Sequence, residues 1–266
     1  MARKARLDAE LVRRGLARSR EHAAELIAAG VVRVAGQPAA KPATGVDAGT
    51  PVTVIEADTG PHYASRGGHK LAGALEAFAP GGLTVSGRRC LDAGASTGGF
   101  TDVLLQRGAA RVLALDVGYG QLHEKLRGDP RVTVLERTNV RELGELPFAP
   151  ELVTCDVSFI SVRTALPPAL RLAKPGWEAV VLVKPQFEAG RADVPRGGVV
   201  RDPEVHRRVL RAVAEAAPAW AGEPVGVVDS GLPGPKGNRE FFLHLVDRER
   251  PTLPDDLDDW IDAAVR

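Results

Sequence analysis

The stretch that decides the fold is Leu91-Asp92-Ala93-Gly94-Ala95-Ser96-Thr97-Gly98-Gly99-Phe100-Thr101-Asp102. The residues just before it, Arg89-Cys90, are typical of a buried strand, and those from Phe100 onward are typical of an amphipathic helix. The turn between them has glycines at 94, 98 and 99 and an acidic residue two positions before the first glycine. A dinucleotide-binding turn needs the spacing G-x-G-x-x-G so that a pyrophosphate can approach the backbone. That spacing is absent, which argues against a dehydrogenase.

This turn fits a ligand that carries a cationic amine beside a carboxylate. Asp92 would attract the amine, and the free N–H groups at the start of the following helix would attract the carboxylate. S-adenosylmethionine has both groups at its amino-acid end, although a purely structural turn gives the same pattern. The predicted cofactor-binding residues in the turn are Asp92, Gly94, Ser96, Thr97, Gly98 and Gly99.

Predicted strands and helices alternate along the chain from position 88. The strands are predicted at 88–92, 111–116, 131–135, 151–156, 178–184, 224–229 and 240–246, and the helices at 69–78, 99–107, 120–127, 162–173 and 203–217. Such alternation predicts an α/β fold with a doubly wound sheet. The last two strands are joined by residues 230–239 without a helix, which favours an antiparallel final pair. Seven strands in this arrangement predict a Rossmann-like sheet of the class I S-adenosylmethionine-dependent methyltransferases.

Polar residues end several of these strands. Asp116 ends the second strand and could accept hydrogen bonds from both hydroxyls of a cofactor ribose. Asn139 follows the third strand and could reach the adenine edge, although an ordinary loop asparagine fits equally well.

Three charged residues are predicted to meet at the carboxyl edge of the sheet. Asp156 and Lys184 end the fourth and fifth strands, and Glu240 begins the antiparallel last strand. A lysine that ends an apolar strand needs acidic partners or a chemical role. A structural salt-bridge cluster remains the alternative to a catalytic one.

The N-terminal part of the chain is basic, although the formal net charge of the whole chain is only +1. Nine Lys or Arg residues and four acidic residues lie between Met1 and Val46. We predict a helix beginning at Arg6-Leu7, a second helix over Arg20–Ala29 with Ser19 as its N-cap, and strands over 31–35 and 51–55. A basic lobe indicates a polyanionic partner, although a solvated charged face gives the same composition.

The order of residues in this part resembles the S4-type RNA-binding domain. The matching residues are Arg6-Leu7-Asp8, Leu11, Gly15-Leu16, Ser19-Arg20, Ala23, Ile27, Gly30, Val34 and Gly36. The resemblance implies a small α+β domain that binds structured RNA through its phosphates and shape. The side chains expected to contact RNA are Arg3, Lys4, Arg6, Arg13, Arg14, Arg18, Arg20, Arg33, Arg66 and, by stacking on an extruded base, Phe159.

Four residues spread over the chain match a known catalytic set. Lys70, Asp156, Lys184 and Glu240 correspond to the Lys-Asp-Lys-Glu tetrad of the FtsJ-type RNA ribose methyltransferases. The chain as a whole resembles the TlyA family, which is also labelled haemolysin. The runs that carry this resemblance are Ser-Arg-Gly-Gly-His-Lys-Leu, Asp-Ala-Gly-Ala-Ser-Thr-Gly-Gly-Phe-Thr, Ser-Phe-Ile-Ser and Val-Lys-Pro-Gln-Phe-Glu. One departure is Pro61-His62-Tyr63-Ala64, where the family pattern has an arginine and a tryptophan.

The resemblance implies methyl transfer from S-adenosylmethionine to the ribose 2′-hydroxyl of cytidines in ribosomal RNA. The basic extension Ala2–Arg6 resembles the longer type of the family, which implies action on both 16S and 23S RNA and makes the 30S and 50S subunits the expected partners. We expect Lys184 to hold the 2′-oxygen, Asp156 and Glu240 to orient Lys184, and Lys70 to hold the substrate. Two carboxylates would stabilise the charged lysine, so orientation and electrostatics are favoured over full proton abstraction.

The expected organisation is an S4-like domain over residues 1–58, a linker over 59–66 and an FtsJ-like methyltransferase domain over 67–266. Cys90 and Cys155 lie in predicted buried strands, which fits a reducing cytoplasm. No apolar run approaches the ~20 residues that span a bilayer. No histidine spacing indicates a metal site, and no obligatory protein partner is evident. The alternatives are methylation of another RNA or a small acceptor, and a membrane-lytic haemolysin.

Overall fold

The computed structural model describes residues 4–28, 30–47, 49–54 and 62–266. The chain divides into two compact units, Met1–His62 and Tyr63–Arg266. Residues 55–61 lie outside the described part and contain the predicted boundary after residue 58. The predicted division into 1–58, 59–66 and 67–266 therefore stays a prediction.

The first unit packs two helices against short strands. Its elements are β1 (Ala5–Arg6), α1 (Leu7–Arg13), α2 (Arg20–Ala28), β2 (Val32–Val34), β3 (Gln37–Pro38), β4 (Gly45–Val46) and β5 (Val52–Val54). β2 pairs with β3 and β5, and β1 pairs with β4, all antiparallel. Ser19 caps α2 as predicted, because its Oγ accepts a hydrogen bond from the backbone N–H of His22 at 3.1 Å. The β1–β4 pair was not predicted, since two-residue strands carry no periodic signal.

The second unit contains seven strands and seven α-helices in its described residues. In chain order they are α3 (Gly67–Phe78), β6 (Arg89–Ala93), α4 (Gly99–Gln106), β7 (Arg111–Leu115), α5 (Glu124–Arg127), β8 (Val132–Leu135), β9 (Leu152–Cys155), α6 (Val162–Arg171), β10 (Glu178–Val183), α7 (Pro185–Glu188), α8 (Pro203–Ala216), β11 (Gly222–Asp229), β12 (Phe241–Asp247) and α9 (Leu257–Val265). Short 3₁₀ helices lie at Ala79–Gly81, Val140–Glu142 and Ala217–Trp220.

The seven strands form one sheet in the order β11-β12-β10-β9-β6-β7-β8. The strands β6 to β10 pair in parallel, whereas β12 is antiparallel to both β10 and β11. The predicted methyltransferase-type sheet is confirmed, including its antiparallel last strand. Because β12 runs in the opposite direction, its first residues lie at the carboxyl edge of the parallel strands.

Helices cover both faces of this sheet. Successive side chains of a strand point to opposite faces. Leu91 of β6 joins the core formed with α6, α8 and α9, whereas Cys90 joins the core formed with α3 and α4. The acidic C-terminal tail forms the short helix α9, which buries Leu257, Ile261 and Ala264. No helix in the described ranges is long and apolar enough to cross a membrane.

One predicted helix is shorter than expected. The prediction covered 120–127, but only Glu124–Arg127 is helical. His123 is the N-cap, and its Nδ1 accepts a hydrogen bond from the backbone N–H of Lys125 at 3.2 Å. This cap starts the helix late and leaves Gln121 in a loop.

The connection between β11 and β12 ends with three residues that each bind a different part of this unit. The buried Asn238 donates to the carbonyl of Gly198 and accepts from the N–H of Val200, both at 2.9 Å. Arg239 donates to the carbonyls of Val265 at 2.7 Å and Ala264 at 2.9 Å, at the end of α9. Glu240 is the third of these residues and belongs to the site described next.

Candidate active site

A cavity of about 370 Å³ lies at the carboxyl edge of β6, β7 and β9. This volume is within the ~300–1,000 Å³ of small-molecule sites. Six residues predicted to act at the site line it: Gly94, Ser96, Asp116, Asn139, Asp156 and Phe159. Residues without a predicted role complete the lining: Leu115, Val117, Gln121, Val140, Val157, Ser158 and Ile160.

The turn after β6 brings the backbone close to the end of β9. Gly94 has φ +90°, and a Cβ at this position would lie 2.2 Å from the carbonyl oxygen of Asp156. A side chain is therefore excluded both by the backbone conformation and by the contact. The glycine keeps this corner of the cavity open.

Asp116 organises the next part of the cavity wall. Its Oδ2 accepts a hydrogen bond from the N–H of Ser96 at 2.8 Å, and its Oδ1 accepts one from the N–H of Gly118 at 2.7 Å. A carboxylate has about four acceptor sites, so both oxygens can also accept from ligand hydroxyls. Asn139 caps the 3₁₀ helix Val140–Glu142, because its Oδ1 accepts from the N–H of Arg141 at 3.1 Å.

Asp92 does not have the predicted place at the cavity. Its side chain is fully buried and is absent from the cavity lining. Both oxygens accept hydrogen bonds from hydroxyls, at 2.7 Å from Thr101 and at 3.2 Å from Thr154. Burial raises the pKa of this carboxyl to about 7. In this structure the carboxyl braces the turn from inside the core, and its contact with a cationic amine stays a prediction.

Of the other predicted residues of the turn, Gly98 and Gly99 are buried and Thr97 is exposed. A Cβ on Gly98 would lie 2.3 Å from Leu126, and one on Gly99 would lie 2.2 Å from the hydroxyl of Ser65. Thr97 accepts a hydrogen bond from the N–H of His123 through its carbonyl, at 3.2 Å. The two glycines permit this close packing, and none of the three residues is in the cavity lining.

The catalytic residues predicted at the strand ends form two ion pairs. Nζ of Lys184 lies 2.5 Å from Oδ1 of Asp156 and donates to the hydroxyl of Ser158 at 2.9 Å. Nζ of Lys70 donates to Oε2 of Glu240 at 2.5 Å, and both side chains are less than a tenth exposed. The prediction that Glu240 orients Lys184 names the wrong partner, because Glu240 binds Lys70.

The surroundings of Glu240 fix its carboxylate. Its Oε1 accepts a hydrogen bond from the side-chain amide of Gln186 at 3.3 Å. A Cβ on Gly234 would lie 2.4 Å from the same oxygen, so the backbone of the β11–β12 connection packs directly against it. The carboxylate that pairs with the buried Lys70 is therefore held in place by Gln186 and by the backbone at Gly234.

Comparison with known proteins identifies the family. The model of the FtsJ-like methyltransferases matches residues 63–246, and that of the S4 domain matches residues 5–52. The 16S/23S rRNA (cytidine-2′-O)-methyltransferase TlyA of Mycobacterium tuberculosis is 55% identical over all of this chain and 98% of its own length. The chain belongs to the TlyA family.

Two further relatives are similar to this TlyA-family chain over most of its length. YqxC of Bacillus subtilis is 46% identical over 92% of the chain and 86% of its own length. A solved structure from Streptococcus thermophilus, described as a hemolysin, is 37% identical, with a TM-score of 0.77 over 99% of this chain and 96% of that one. The family is thus a group of methyltransferases in which the name hemolysin also occurs.

The exposed aromatic ring of Phe159 stands at the cavity of this family member. Its side chain is 92% exposed, so it is not a core residue. The ring centroid lies 5.1 Å from that of Phe187. Its backbone has φ +65°, a left-handed conformation that is strained for a bulky residue.

Sequence reasoning gave no role to several polar residues that take part in the site. Ser158 and Gln121 line the cavity, Gln186 binds Glu240, and Glu188 binds the segment that carries Phe159. Three of them stand in the two quoted family runs around Ser158 and Lys184. Their positions in those runs were the signal that the sequence offered. Which residue of one run contacts which residue of the other depends on tertiary structure.

The interdomain stretch that departs from the family pattern is described only from His62 onward, so Pro61 lies outside the described residues. The N–H of Ala64 donates to Oδ2 of Asp102 in α4 at 2.8 Å. The ring of Tyr63 stacks edge-on against His69 at 5.0 Å. These contacts anchor the start of the second unit to its own helices.

The predicted RNA-contacting cations that the structure describes fall into two groups. Arg6 and Arg20 bind the buried Asp8, each at 2.9 Å, while Arg13 and Arg14 bind the buried Glu10. These guanidinium groups hold the pKa of Asp8 well below its usual range and lower that of Glu10 to about 2. Arg14 is only 19% exposed and also donates to the carbonyl of Thr50 at 2.7 Å. Arg14 thus stabilises the first unit, and its predicted contact with RNA stays a prediction.

A second group of predicted cations has no ion-pair partner within the described part of the chain: Lys4, Arg18, Arg33 and Arg66. Lys4, Arg18 and Arg66 are exposed, and Arg33 is half-buried in β2. Arg3 lies outside the described residues. The RNA-binding role of all these residues stays a prediction.

Proposed function

We propose that this chain transfers a methyl group from S-adenosylmethionine to the ribose 2′-hydroxyl of cytidines in 16S and 23S ribosomal RNA. The observation that carries the proposal is the pair of ion pairs, Lys184–Asp156 and Lys70–Glu240, beside a cavity of cofactor size. The relative with 55% identity over the full chain bears the name of the same activity.

The residues of the cavity fit S-adenosylmethionine, which supplies an electrophilic methyl group. Asp116 retains acceptor capacity for the two ribose hydroxyls, and Asn139 lies where an amide can meet the adenine edge. Gly94 leaves room beside the backbone of Asp156 that a Cβ would fill. We assign Asp92, Thr97, Gly98 and Gly99 to shaping this turn.

The chemistry of the acceptor hydroxyl indicates a role for Lys184. A ribose hydroxyl is a weak nucleophile at neutral pH, so its oxygen must be held in line with the methyl group. The oxygen–methyl bond forms as the sulfur–methyl bond breaks, and the hydroxyl proton is released to solvent. An ammonium has three donors. Ser158 accepts one hydrogen bond from Lys184 and Asp156 pairs with its charge, which leaves donor capacity for the 2′-oxygen. Lys184 thus orients the nucleophile, and Asp156 keeps Lys184 in place.

Lys70 and Glu240 have a supporting part in this proposal. Both are buried, and Glu240 accepts a hydrogen bond from Gln186, two positions after Lys184, so the pair supports the backbone that carries Lys184. The S4 domain would supply affinity through phosphate contacts of its cations, with little reading of bases. The partners are therefore ribosomal RNA in the 30S and 50S subunits, and the site of action is the cytoplasm.

The test is transfer of tritium from labelled S-adenosylmethionine to unmethylated 30S and 50S subunits, followed by nuclease mapping with mass spectrometry. The variant Lys184→Ala should lose the label. Lys174→Ala is the matched control, since Lys174 also pairs with an acid, Glu151 at 2.7 Å, but precedes β10 at the other edge of the sheet.

Label on a 2′-O-methylcytidine that disappears only in Lys184→Ala supports the proposal, and the labelled subunits define its range. Cofactor binding without label on either subunit would contradict it and direct the search to other RNAs or small acceptors. Leakage of liposomes at low protein concentration would instead support the membrane-lytic alternative.

A further inference from the structure

Two chain segments follow neighbouring strands at the carboxyl edge of the sheet. The β9 segment comprises residues 156–161, and the β10 segment comprises residues 184–188. Three sets of side-chain contacts join them along their length: Lys184 to Asp156 and Ser158, Phe187 to Phe159, and Glu188 to Ser161. The first set belongs to the proposed catalytic machinery, whereas the last has no role so far.

Glu188 makes the last of these connections with both carboxylate oxygens. Oε2 accepts from the hydroxyl of Ser161 at 2.6 Å, and Oε1 accepts from the N–H of Val162 at 2.7 Å. Its side chain is only 2% exposed. These hydrogen bonds orient the buried carboxylate and hold the start of α6 in place.

Helix α6 receives a carboxylate at its N-terminus from another element. Its first turn contains no acidic residue of its own. Pro167 and Pro168 lie inside the helix and remove two N–H donors from its hydrogen-bond ladder. The N-cap Ser161 therefore joins the helix to the β9 segment. Glu188, which belongs to another element, holds Ser161 in place through its carboxylate.

The β9 segment also carries a strained residue that needs support from its surroundings. Phe159 is held at φ +65° with its ring in solvent, and such conformations persist only where flanking contacts impose them. Lys184 anchors the segment at Asp156, and Glu188 anchors it at Ser161. Glu188 ends the single turn α7, which begins directly after Lys184.

We propose that Glu188 is a positioning residue that sets the exposed ring of Phe159 and the ammonium of Lys184 in their relative places for the RNA substrate. The inference rests on the proposed function, because it assigns both groups to the acceptor side of the reaction. Glu188 itself does not touch the substrate.

The first test compares turnover with cofactor binding. Glu188→Ala removes both hydrogen bonds and the ion pair with Arg163 at 3.4 Å. It should lower kcat for methylation of ribosomal subunits about ten- to hundredfold, the effect of misplacing reacting groups by about 1 Å. The Kd of S-adenosylmethionine should change less than about twofold, since Glu188 does not line the cavity. Glu188→Gln can donate to Ser161 and accept from Val162, so it should retain kcat within about threefold.

The matched control is Glu178→Ala. Glu178 is also a largely buried acid with two partners, His244 at 2.8 Å and Arg88 at 2.5 Å, but it begins β10 at the opposite edge of the sheet. Its loss should leave kcat per folded molecule unchanged. Should Glu188→Ala fail to fold, Ser161→Ala removes one of the same contacts, and a kcat loss smaller than about threefold would then overturn the proposal.

A double-mutant cycle with Phe159→Ala tests whether Glu188 acts through this ring and its neighbour. In the Phe159→Ala background, Glu188→Ala should lower kcat less than about threefold. Full additivity, a folded Glu188→Ala protein with wild-type kcat, or a parallel loss of cofactor affinity would each overturn the inference.

Hydrogen exchange separates this inference from the proposed function. Amides of residues 157–163 should exchange faster in Glu188→Ala than in wild type, and at the wild-type rate in Glu178→Ala. Wild-type protein that methylates no ribosomal RNA would refute the proposed function alone. Unchanged exchange in Glu188→Ala would refute the positioning role whether or not the protein is active.

Discussion

Lys70 and Glu240 stand 170 positions apart in the sequence, yet their charged groups are 2.5 Å apart at a place almost closed to solvent. Lys70 lies in the first helix of the second unit, and Glu240 directly precedes the last strand of the sheet. Their contact joins the beginning and the end of this unit at the candidate active site. Since a buried charge without its partner is costly, the two residues must be considered together.

We expect substitutions of the Lys70–Glu240 pair to affect stability and methyl transfer differently. Lys70→Met alone leaves the buried carboxylate unpaired and should lower the free energy of unfolding by about 3–5 kcal/mol. The double variant Lys70→Met/Glu240→Leu removes both charges and should regain most of that loss while methyl transfer stays absent. Urea denaturation and the tritium assay measure the two quantities. A double variant as unstable as the sum of its single variants would contradict this account.

Asp92 should make the stability of the second unit depend on pH. The pKa of its carboxyl is raised to about 7, above its value in the unfolded chain, so the native state binds more protons between these two values. Stability contributed by the protonated form is therefore present at about pH 4 and is lost as the pH rises to about 7. Asp92→Asn should remove this dependence, which is on the order of 2–4 kcal/mol. Urea denaturation of both proteins at several pH values gives the result, and parallel pH profiles would exclude Asp92 as the cause.

Gly94→Ala should abolish cofactor binding through the contact of its Cβ with the carbonyl of Asp156. Gly176→Ala is the matched control, because Gly176 also has a positive φ, +82°, but its Cβ would meet no atom within 4 Å. The control should cost about 1 kcal/mol in stability and retain the Kd of S-adenosylmethionine. We expect Gly94→Ala to raise that Kd more than tenfold in calorimetry. Equal binding by the two variants would show that the close approach is unimportant.

Arg14 and Arg18 should respond differently to substitution although both were predicted to bind RNA. Arg14→Ala leaves the buried Glu10 with one cation fewer and removes the bond to Thr50, so it should destabilise the first unit. Arg18→Ala should leave the fold intact, weaken RNA binding and reduce the slope of log K against log salt by about one. Thermal unfolding and salt-dependent RNA binding distinguish these effects. Equal stability of the two variants would contradict the structural role of Arg14.

The sequence was sufficient to predict the sheet and the strand-end residues because both follow from local patterns. Asp156 and Lys184 each end an apolar run, so parallel strands bring them to one edge. The partner of Glu240 was predicted wrongly, since a pattern fixes where a side chain begins and not which neighbour it meets. Asp92 shows the same limit: its position two residues before a glycine is visible in the sequence, whereas its burial against Thr154 depends on the neighbouring strand.

The contacts of Glu188 were beyond local reasoning for a related reason. Its role depends on the orientation of a one-turn helix after β10 and on the cap of α6, which starts 26 positions earlier. Similarly, the late start of α5 depends on the side chain of His123, a residue with no special cap preference. Such features come from tertiary packing, which overrides the propensity of short segments.

β12 lies inside the sheet, and this position limits when the sheet can be completed during synthesis of the chain. The strand is the last to leave the ribosome, yet it lies between β10 and β11, so the sheet stays divided until residues 241–247 arrive. Asn238 and Glu240 can then engage a loop and Lys70, whereas Arg239 binds carbonyls of α9, which is synthesised after β12. The S4 domain is synthesised first and has its own core, so it can fold while the catalytic half is still incomplete.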